Sequence, residues 1–178
     1  MNVVNLSSFS KSNHAATLTP ASALGKVREL IPQFSSRAAL CESIRRCPDE
    51  SISDLFESGL MRMMQPKLFG GSELGMSAFL DVVLEIAKVC PSTAWVFTNL
   101  ASHSWNIGQM ELQTQKDIWS DDPQALVATG LAFPCGKAKP ENGGYRISGR
   151  WPFASGIDAS TWIMVGCMTE SENGAPPH

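Results

Sequence analysis

The chain has 178 residues, of which 43% are hydrophobic, enough for a substantial core, and its formal net charge is −3. Lys and Arg are scattered rather than clustered, which argues against a nucleic-acid partner or an anionic membrane surface. Five cysteines without a CxxC pair predict buried thiols in a reducing compartment, so we expect a cytoplasmic protein, and three scattered histidines do not predict a metal site.

The first part of the chain predicts a leader followed by helices. Residues 1–20 are rich in Ser, Asn and Thr and lack an apolar run, which predicts a disordered leader rather than a signal peptide. Residues 21–46 predict a helix in which Pro32 either introduces a kink or marks the first turn. Pro48 with Asp49 as cap predicts the start of the next helix. Glycines and prolines between residues 63 and 76 predict a loop.

The clearest helical pattern covers residues 76–90. Its polar residues form one narrow stripe, so we expect this helix to be buried on most sides. Pro91 ends it, and Ser92 can cap a second helix that extends to about Gly108. That segment has no charged residue, but several polar residues interrupt it, which favours a buried helix over a membrane span. A third helix is predicted over residues 111–119.

From residue 126 the pattern changes to that of strands. Residues 126–133, 145–153 and 160–168 have strand composition, 134–144 predicts a turn-rich connection, and 169–178 a polar tail. The sequence therefore predicts an α+β protein, with an N-terminal helical domain at 21–125 and the start of an antiparallel β-domain at 126–178. Three strands without a covering layer indicate part of a larger protein.

Four segments in chain order carry a family resemblance: "MQPKLFGG" (64–71), "CPSTAWV" (90–96), "ASHSW" (101–105) and "GYRISGRWPFASG" (144–156). Through them the chain resembles the acyl-CoA dehydrogenase superfamily, and within it the flavin-dependent monooxygenase branch of two-component aromatic hydroxylases, such as 4-hydroxyphenylacetate hydroxylase. The resemblance covers roughly residues 21–167. It implies a helical domain, a middle β-domain and a C-terminal four-helix bundle that completes the flavin site and the homotetramer; this chain contains the first domain and the start of the second.

The resemblance gives the "GRWPFASG" segment (149–156) a role beside a reduced flavin, FMN or FAD. It implies that Ser155 contacts N5 of the flavin and limits loss of peroxide, and that Phe153 and Ala154 line the ring. The residue types suit this role, because aromatic side chains can face a flat ring and a hydroxyl beside glycine allows close approach. The alternative is that Trp151 and Phe153 lie on opposite faces and one of them fills the core.

Three further residues are candidates. Thr129 matches a family position that often carries Ser facing the reactive side of the flavin; the alternative is ordinary strand packing. His103 matches a histidine near the substrate hydroxyl, where it can polarise a phenol; the alternative is a buried, hydrogen-bonded histidine. Trp95 lies on one helical face with Asn99 and would wall the cavity, or else pack in the core.

The leading interpretation is a two-component monooxygenase. A separate flavin reductase supplies reduced flavin, and O2 is used to hydroxylate a small aromatic substrate. One alternative is an acyl-CoA dehydrogenase that uses FAD, although residues 130–140 lack the acidic residue and serine typical of that branch. Others are an amino-sugar N-oxygenase and a non-catalytic fragment whose open strands pair with another chain. The glycines of residues 68–75 favour a tight turn over a phosphate loop.

Overall fold

The computed structural model describes residues 17–132 and 135–169. Its helices are α1 (Pro20–Ser36), α2 (Ala38–Ile44), α3 (Asp49–Glu57), α4 (Met76–Ala87), α5 (Pro91–Gly108) and α6 (Leu112–Trp119). Its strands are β1 (Val127–Gly130), β2 (Gly136–Glu141), β3 (Gly144–Gly149), β4 (Trp162–Val165) and β5 (Met168–Thr169). This order confirms the predicted α+β class, with helices first and the beginning of a β region after them.

Helix α5 occupies the centre of the helical part and contacts α2, α4 and β1. Phe97 and Leu100 on α5 are fully buried, and the ring centroids of Phe97 and Phe79 on α4 are 5.8 Å apart. Complete burial of side chains of this size contributes about 1.5–3 kcal/mol each. Because α5 packs against several other elements, its backbone is fixed, and the side chains on its remaining face have defined positions.

The helix boundaries differ from the predictions near three prolines. Pro32 lies inside helix α1 and so does not mark its first turn, and the predicted single helix is divided at Arg37 into α1 and α2. At the start of α5, Pro91 takes the first helical position and Cys90 the cap position, which leaves Ser92 inside the helix. Proline suits that first position because the backbone N–H it lacks would have no partner there. Pro48 likewise takes the cap position predicted for Asp49.

Helix α4 confirms the predicted element but not its predicted burial. Met76, Leu80 and Leu84 are 44%, 48% and 60% exposed. They are four residues apart and so form an apolar stripe along one side of the helix. The sequence pattern shows that the stripe is apolar but not whether another element covers it. Among the described residues, none covers it.

The strands form two small sheets whose pairing is only partly antiparallel. Strands β2 and β3 form an antiparallel hairpin, whereas β1 pairs with β4 and β2 with β5 in parallel. The antiparallel prediction is therefore correct for β2–β3 and wrong for the other two pairs, because the chain crosses back before β4 instead of turning directly. The predicted connection at 134–144 contains strand β2, and the predicted third strand is divided into β4 and β5.

Trp151 joins the two sheets. Its indole Nε1–H donates to the carbonyl of Gly166 at 2.7 Å. A Cβ added at Gly130 or Gly136 would come within 2.8 or 2.3 Å of the Trp151 side chain, so both positions need glycine. Phe153, two residues later, is 91% exposed. Trp151 therefore packs between the two sheets and is half-buried, outside the hydrophobic clusters of the described residues.

The predictions of a disordered leader and of a polar tail fall largely outside the described residues. Most of the predicted leader (1–16) and the predicted tail (170–178) lie outside the described residues. Among the helices that are described, none is long and apolar enough to cross a membrane.

Candidate functional site

The segment after β3 has an irregular backbone that glycine and a tight turn make possible. Phe153 and Gly156 have φ angles of 62° and 81°. The Ser155 N–H donates to the carbonyl of Phe153 at 3.0 Å, which closes a three-residue turn. A Cβ on Gly156 would lie 2.7 Å from Leu100 Cδ2, so the segment rests directly on α5. The side chain of Ser155 is thereby held over the helical part of the protein.

Ser155 is bound by Trp95 across the junction of helical and β parts. The Trp95 indole Nε1–H donates to the Ser155 hydroxyl oxygen at 2.9 Å. An indole nitrogen only donates, so the Ser155 oxygen accepts this bond and its own proton remains available to a further acceptor. Trp95 is 63% exposed. The Ser155 hydroxyl therefore lies in a polar and accessible setting, not in packed hydrocarbon.

A cavity of about 310 Å³ opens beside this segment. One wall is the segment itself, with Phe153, Ala154 and Ser155; the others are the corner between α2 and α3 and Val96 on α5. Small-molecule sites are typically of this size and combine apolar walls with a few polar groups. A flat apolar ring with hydrogen-bonding atoms along one edge fits these residues, since Phe153 offers an exposed aromatic face and Ser155 a directed hydroxyl.

His103 and Thr129 form a second hydrogen-bonded pair. His103 Nδ1 is 2.8 Å from the carbonyl oxygen of Val127, and Nε2 is 3.2 Å from the Thr129 hydroxyl. A carbonyl only accepts, so Nδ1 carries the proton, Nε2 offers a lone pair, and the Thr129 hydroxyl donates to it. Burial lowers the pKa of His103, and the bond to Val127 opposes this only in part. The ring is therefore neutral near pH 7.

The structure thus joins four of the predicted site residues in two pairs. In each pair one residue lies on α5 and its partner lies in the β part of the chain. Trp95 and His103 are eight residues apart on α5, about 12 Å along its axis. Ser155 lines the cavity, together with Phe153 and Ala154, whereas Trp95, His103 and Thr129 do not. His103 is a buried, satisfied histidine in the described residues, and its chemical role stays a prediction.

Sequence reasoning missed the part of the cavity formed by the α2–α3 corner. Arg45, Arg46, Cys47 and Asp49 line it. Arg46 binds Asp49 through two contacts, Nη1 to Oδ1 at 2.6 Å and Nη2 to Oδ2 at 3.2 Å, and these bonds raise the pKa of Arg46. These residues precede Ser155 by more than a hundred positions, and no local pattern marks them as part of a site.

Three buried cysteines surround the hydroxyl of Thr93 next to this corner. The sulfurs of Cys41, Cys47 and Cys90 lie 3.6, 3.6 and 3.2 Å from Thr93 Oγ1. Burial raises the pKa of Cys47 to about 12 and also raises that of Cys41. Protonated thiols are poor nucleophiles, so the cluster has a packing role. The prediction of buried thiols is confirmed for these three; Cys135 and Cys167 are half-buried, and all five are free.

Comparisons with known proteins agree on one group. A family model described as "Acyl-CoA dehydrogenase, N-terminal domain" matches residues 26–120. The chain is 37% identical, over 155 residues, to the "p-hydroxyphenylacetate 3-hydroxylase, oxygenase component" of Acinetobacter baumannii, an alignment that covers 86% of this chain and 36% of that protein.

Solved structures give the same result. The HsaA monooxygenase from M. tuberculosis aligns with a TM-score of 0.82 and 30% identity over 85% of this chain and 41% of that one. XiaF from Streptomyces sp., solved in complex with FADH2 and glycerol, aligns with a TM-score of 0.81 and 26% identity over 89% of this chain and 40% of that one. The chain therefore spans less than half the length of each of these relatives.

Proposed function

The chain belongs to the acyl-CoA dehydrogenase family, and on that premise we propose that it acts as the N-terminal part of the oxygenase of a two-component flavin-dependent monooxygenase. The proposal takes its reaction class from relatives named as oxygenase components and monooxygenases. The FADH2 in the XiaF complex supports reduced flavin as the cofactor. The fold and the order of the four sequence segments support the same assignment.

The single observation on which the proposal rests is the Ser155 hydroxyl at the cavity wall. Trp95 satisfies its oxygen and leaves its proton free. A flavin placed against Phe153, Ala154 and Ser155 would meet an aromatic face, a small side chain and one hydroxyl donor at the ring edge. The bound flavin would supply the chemistry, activating O2 so that one oxygen atom is transferred to the substrate ring.

The residues of this chain then have distinct roles. Ser155 donates to the edge of the ring near N5, and Phe153 shields the ring from water, which limits wasteful release of peroxide. His103, neutral and with its tautomer fixed by Val127, polarises a substrate hydroxyl through Thr129, whose hydroxyl donates to Nε2 and whose oxygen accepts from the substrate. Trp95 positions Ser155 through its indole hydrogen bond.

The remaining components of the system follow from the same proposal. The relatives' description as oxygenase components supports a separate flavin reductase as partner. A small aromatic substrate, FMN or FAD as the flavin, and a homotetramer of the complete protein belong to the proposal as well. The five free thiols support the cytoplasm as compartment.

The first test is the affinity of the whole chain for oxidised and for photoreduced FMN and FAD, measured by anaerobic equilibrium dialysis. We expect Ser155→Ala to weaken binding by a factor of about five, the effect of one net hydrogen bond. Ser148→Ala is the matched control, because Ser148 lies on the exposed strand β3 outside the cavity. Equal affinities of the wild-type chain and both variants would remove the assigned role of Ser155.

A second measurement separates the two enzyme classes. A monooxygenase of this type binds free reduced flavin, and its bound flavin does not respond to acyl-CoA. An acyl-CoA dehydrogenase holds oxidised FAD, and saturated acyl-CoA bleaches its absorbance. Bleaching by acyl-CoA would contradict the proposal, and failure to bind any flavin would favour a non-catalytic fragment.

A further inference from the structure

One polar residue on the exposed face of α5 has no part in the roles assigned above. Asn99 lies midway between Trp95 and His103, four residues and about 6 Å along the axis from each, and the three form one row on the helix. At one end of the row Trp95 binds Ser155. At the other end His103 binds Thr129. Between these two connections Asn99 has no side-chain bond with a described residue outside α5.

One hydrogen bond fixes the orientation of the Asn99 amide. Its Nδ2 donates to the carbonyl oxygen of Trp95 at 2.8 Å. A carbonyl only accepts, so the amide nitrogen and not the amide oxygen must face it. The Oδ1 atom and the second N–H of Asn99 form no hydrogen bond with any residue that the structure describes. Because Asn99 is only half-buried, one acceptor and one donor with a defined direction remain accessible to a ligand.

A substrate that meets both ends of the row must pass over Asn99. In the proposed function the edge of the flavin is at Ser155, and a substrate hydroxyl is at Thr129. The aromatic ring of the substrate then lies between these two ends. Asn99 does not line the cavity assigned to the flavin. The group that Asn99 contacts therefore belongs to the substrate and not to the flavin.

We propose that Asn99 determines specificity by binding a second hydroxyl group on the substrate ring, so that dihydroxybenzenes are preferred over benzenes with a single hydroxyl. The inference rests on the proposed function, which supplies the positions of flavin and substrate. A hydroxyl group both donates and accepts, so it can use the free Oδ1 and the free N–H of Asn99 together. A carboxylate only accepts and would be repelled by Oδ1, and residues 91–108 contain no Lys or Arg that could bind it.

The test compares catechol and resorcinol with their monomethyl ethers, which keep both oxygen atoms but lose one hydroxyl donor. The affinities are measured by equilibrium dialysis of the whole chain saturated with oxidised FMN, so that no reaction takes place. We expect the better-bound diol to bind about fivefold more tightly than its ether, the effect of one net hydrogen bond between neutral groups. In Asn99→Leu, which has a similar volume but no amide, the diol and its ether should bind equally.

Asn106→Leu is the matched control. Asn106 is also a half-buried asparagine of α5, but it lies beyond His103, on the far side from Trp95. The preference for the diol should therefore persist in Asn106→Leu. The FMN affinity should be the same in both variants, because neither asparagine lines the flavin cavity.

The outcomes separate this inference from the proposed function. A diol preference that persists in Asn99→Leu, equal wild-type affinities for each diol and its ether, or failure of both diols to bind beside bound FMN would overturn the contact and leave the flavin site intact. Weaker FMN binding in Asn99→Leu would show that Asn99 acts through Trp95 on the flavin site, and would also overturn the substrate contact. Absence of FMN binding by the wild-type chain would overturn the proposed function, and this inference with it.

Discussion

Replacing Gly156 by alanine tests how tightly the segment that carries Ser155 rests on α5. Two costs add at this position. The φ angle of 81° costs about 1–2 kcal/mol for a residue with a Cβ. The new methyl group would lie 2.7 Å from Leu100 Cδ2, and overpacking of this kind costs about 1–3 kcal/mol. We therefore expect Gly156→Ala to lower the free energy of unfolding by about 2–5 kcal/mol.

Gly143 provides the matched control. Its φ angle is 79°, but a Cβ placed there meets no atom within 4 Å. Gly143→Ala should show the backbone cost alone, about 1–2 kcal/mol. The difference between the two variants in urea unfolding then measures the contact with Leu100. Equal losses in both variants would refute the tight contact on which the position of Ser155 depends.

A double-mutant cycle isolates the same contact. Leu100→Ala alone should cost about 2–5 kcal/mol because Leu100 is fully buried. In that background the methyl group of Gly156→Ala gains room, and its cost should fall toward the backbone value. The single variant Gly156→Ala should also weaken flavin binding because it displaces Ser155. A full cost of Gly156→Ala in the Leu100→Ala background would contradict the packing described above.

Further predictions concern the hydrogen-bonded pairs and the thiols. Trp95→Phe keeps an aromatic ring but removes the N–H that binds Ser155, so the FMN affinity should fall about twofold to fivefold; Trp105→Phe, on the same helix, should not change it, and equal effects would argue against the bond. Folded His103 resists protonation, so the unfolded chain binds more protons as the pH falls below about 6.5 and the free energy of unfolding decreases. Chemical unfolding at several pH values should show that His103→Gln flattens this decrease, and an unchanged slope would contradict the burial assigned to the ring. Ellman's reagent should label two of the five thiols in the native chain and the three buried ones only after unfolding; rapid labelling of all five would contradict the buried cluster.

The helical part was largely predictable because its signals are local. The polar stripe of α4 and the prolines before α3 and α5 mark the first residues of those elements to within a residue or two, although α4 ends at Ala87 and not at the predicted residue 90. The predicted cap residues were less accurate. Pro48 and not Asp49 takes the cap position of α3, and Cys90 and not Ser92 takes that of α5 because Pro91 occupies the first helical position. Strand β2 was missed because Gly, Lys and Pro have low β propensity, and pairing with β3 and β5 makes it a strand.

The site was predictable only where one segment carries it. The unusual contents of residues 149–156 single out the segment, and the family resemblance identified Ser155, Phe153 and Ala154 within it, which do line one cavity. The contacts of Ser155 with Trp95, and of His103 with Thr129, join positions 60 and 26 residues apart and need the fold to be seen. Arg45 carries no local signal at all, because only the packing of the α2–α3 corner brings it to the cavity.

The most direct test of the central claim is the indole N–H resonance of Trp95 in the ¹H–¹⁵N spectrum, assigned through its loss in Trp95→Phe, during titration with oxidised FMN. A flavin ring that lies against Ser155 must change this resonance, because Trp95 donates to that hydroxyl at 2.9 Å. The indole resonance of the buried Trp119, which donates to the Ala125 carbonyl, should stay in place. Flavin binding that leaves the Trp95 resonance unchanged would show that the ring lies elsewhere and would contradict the account.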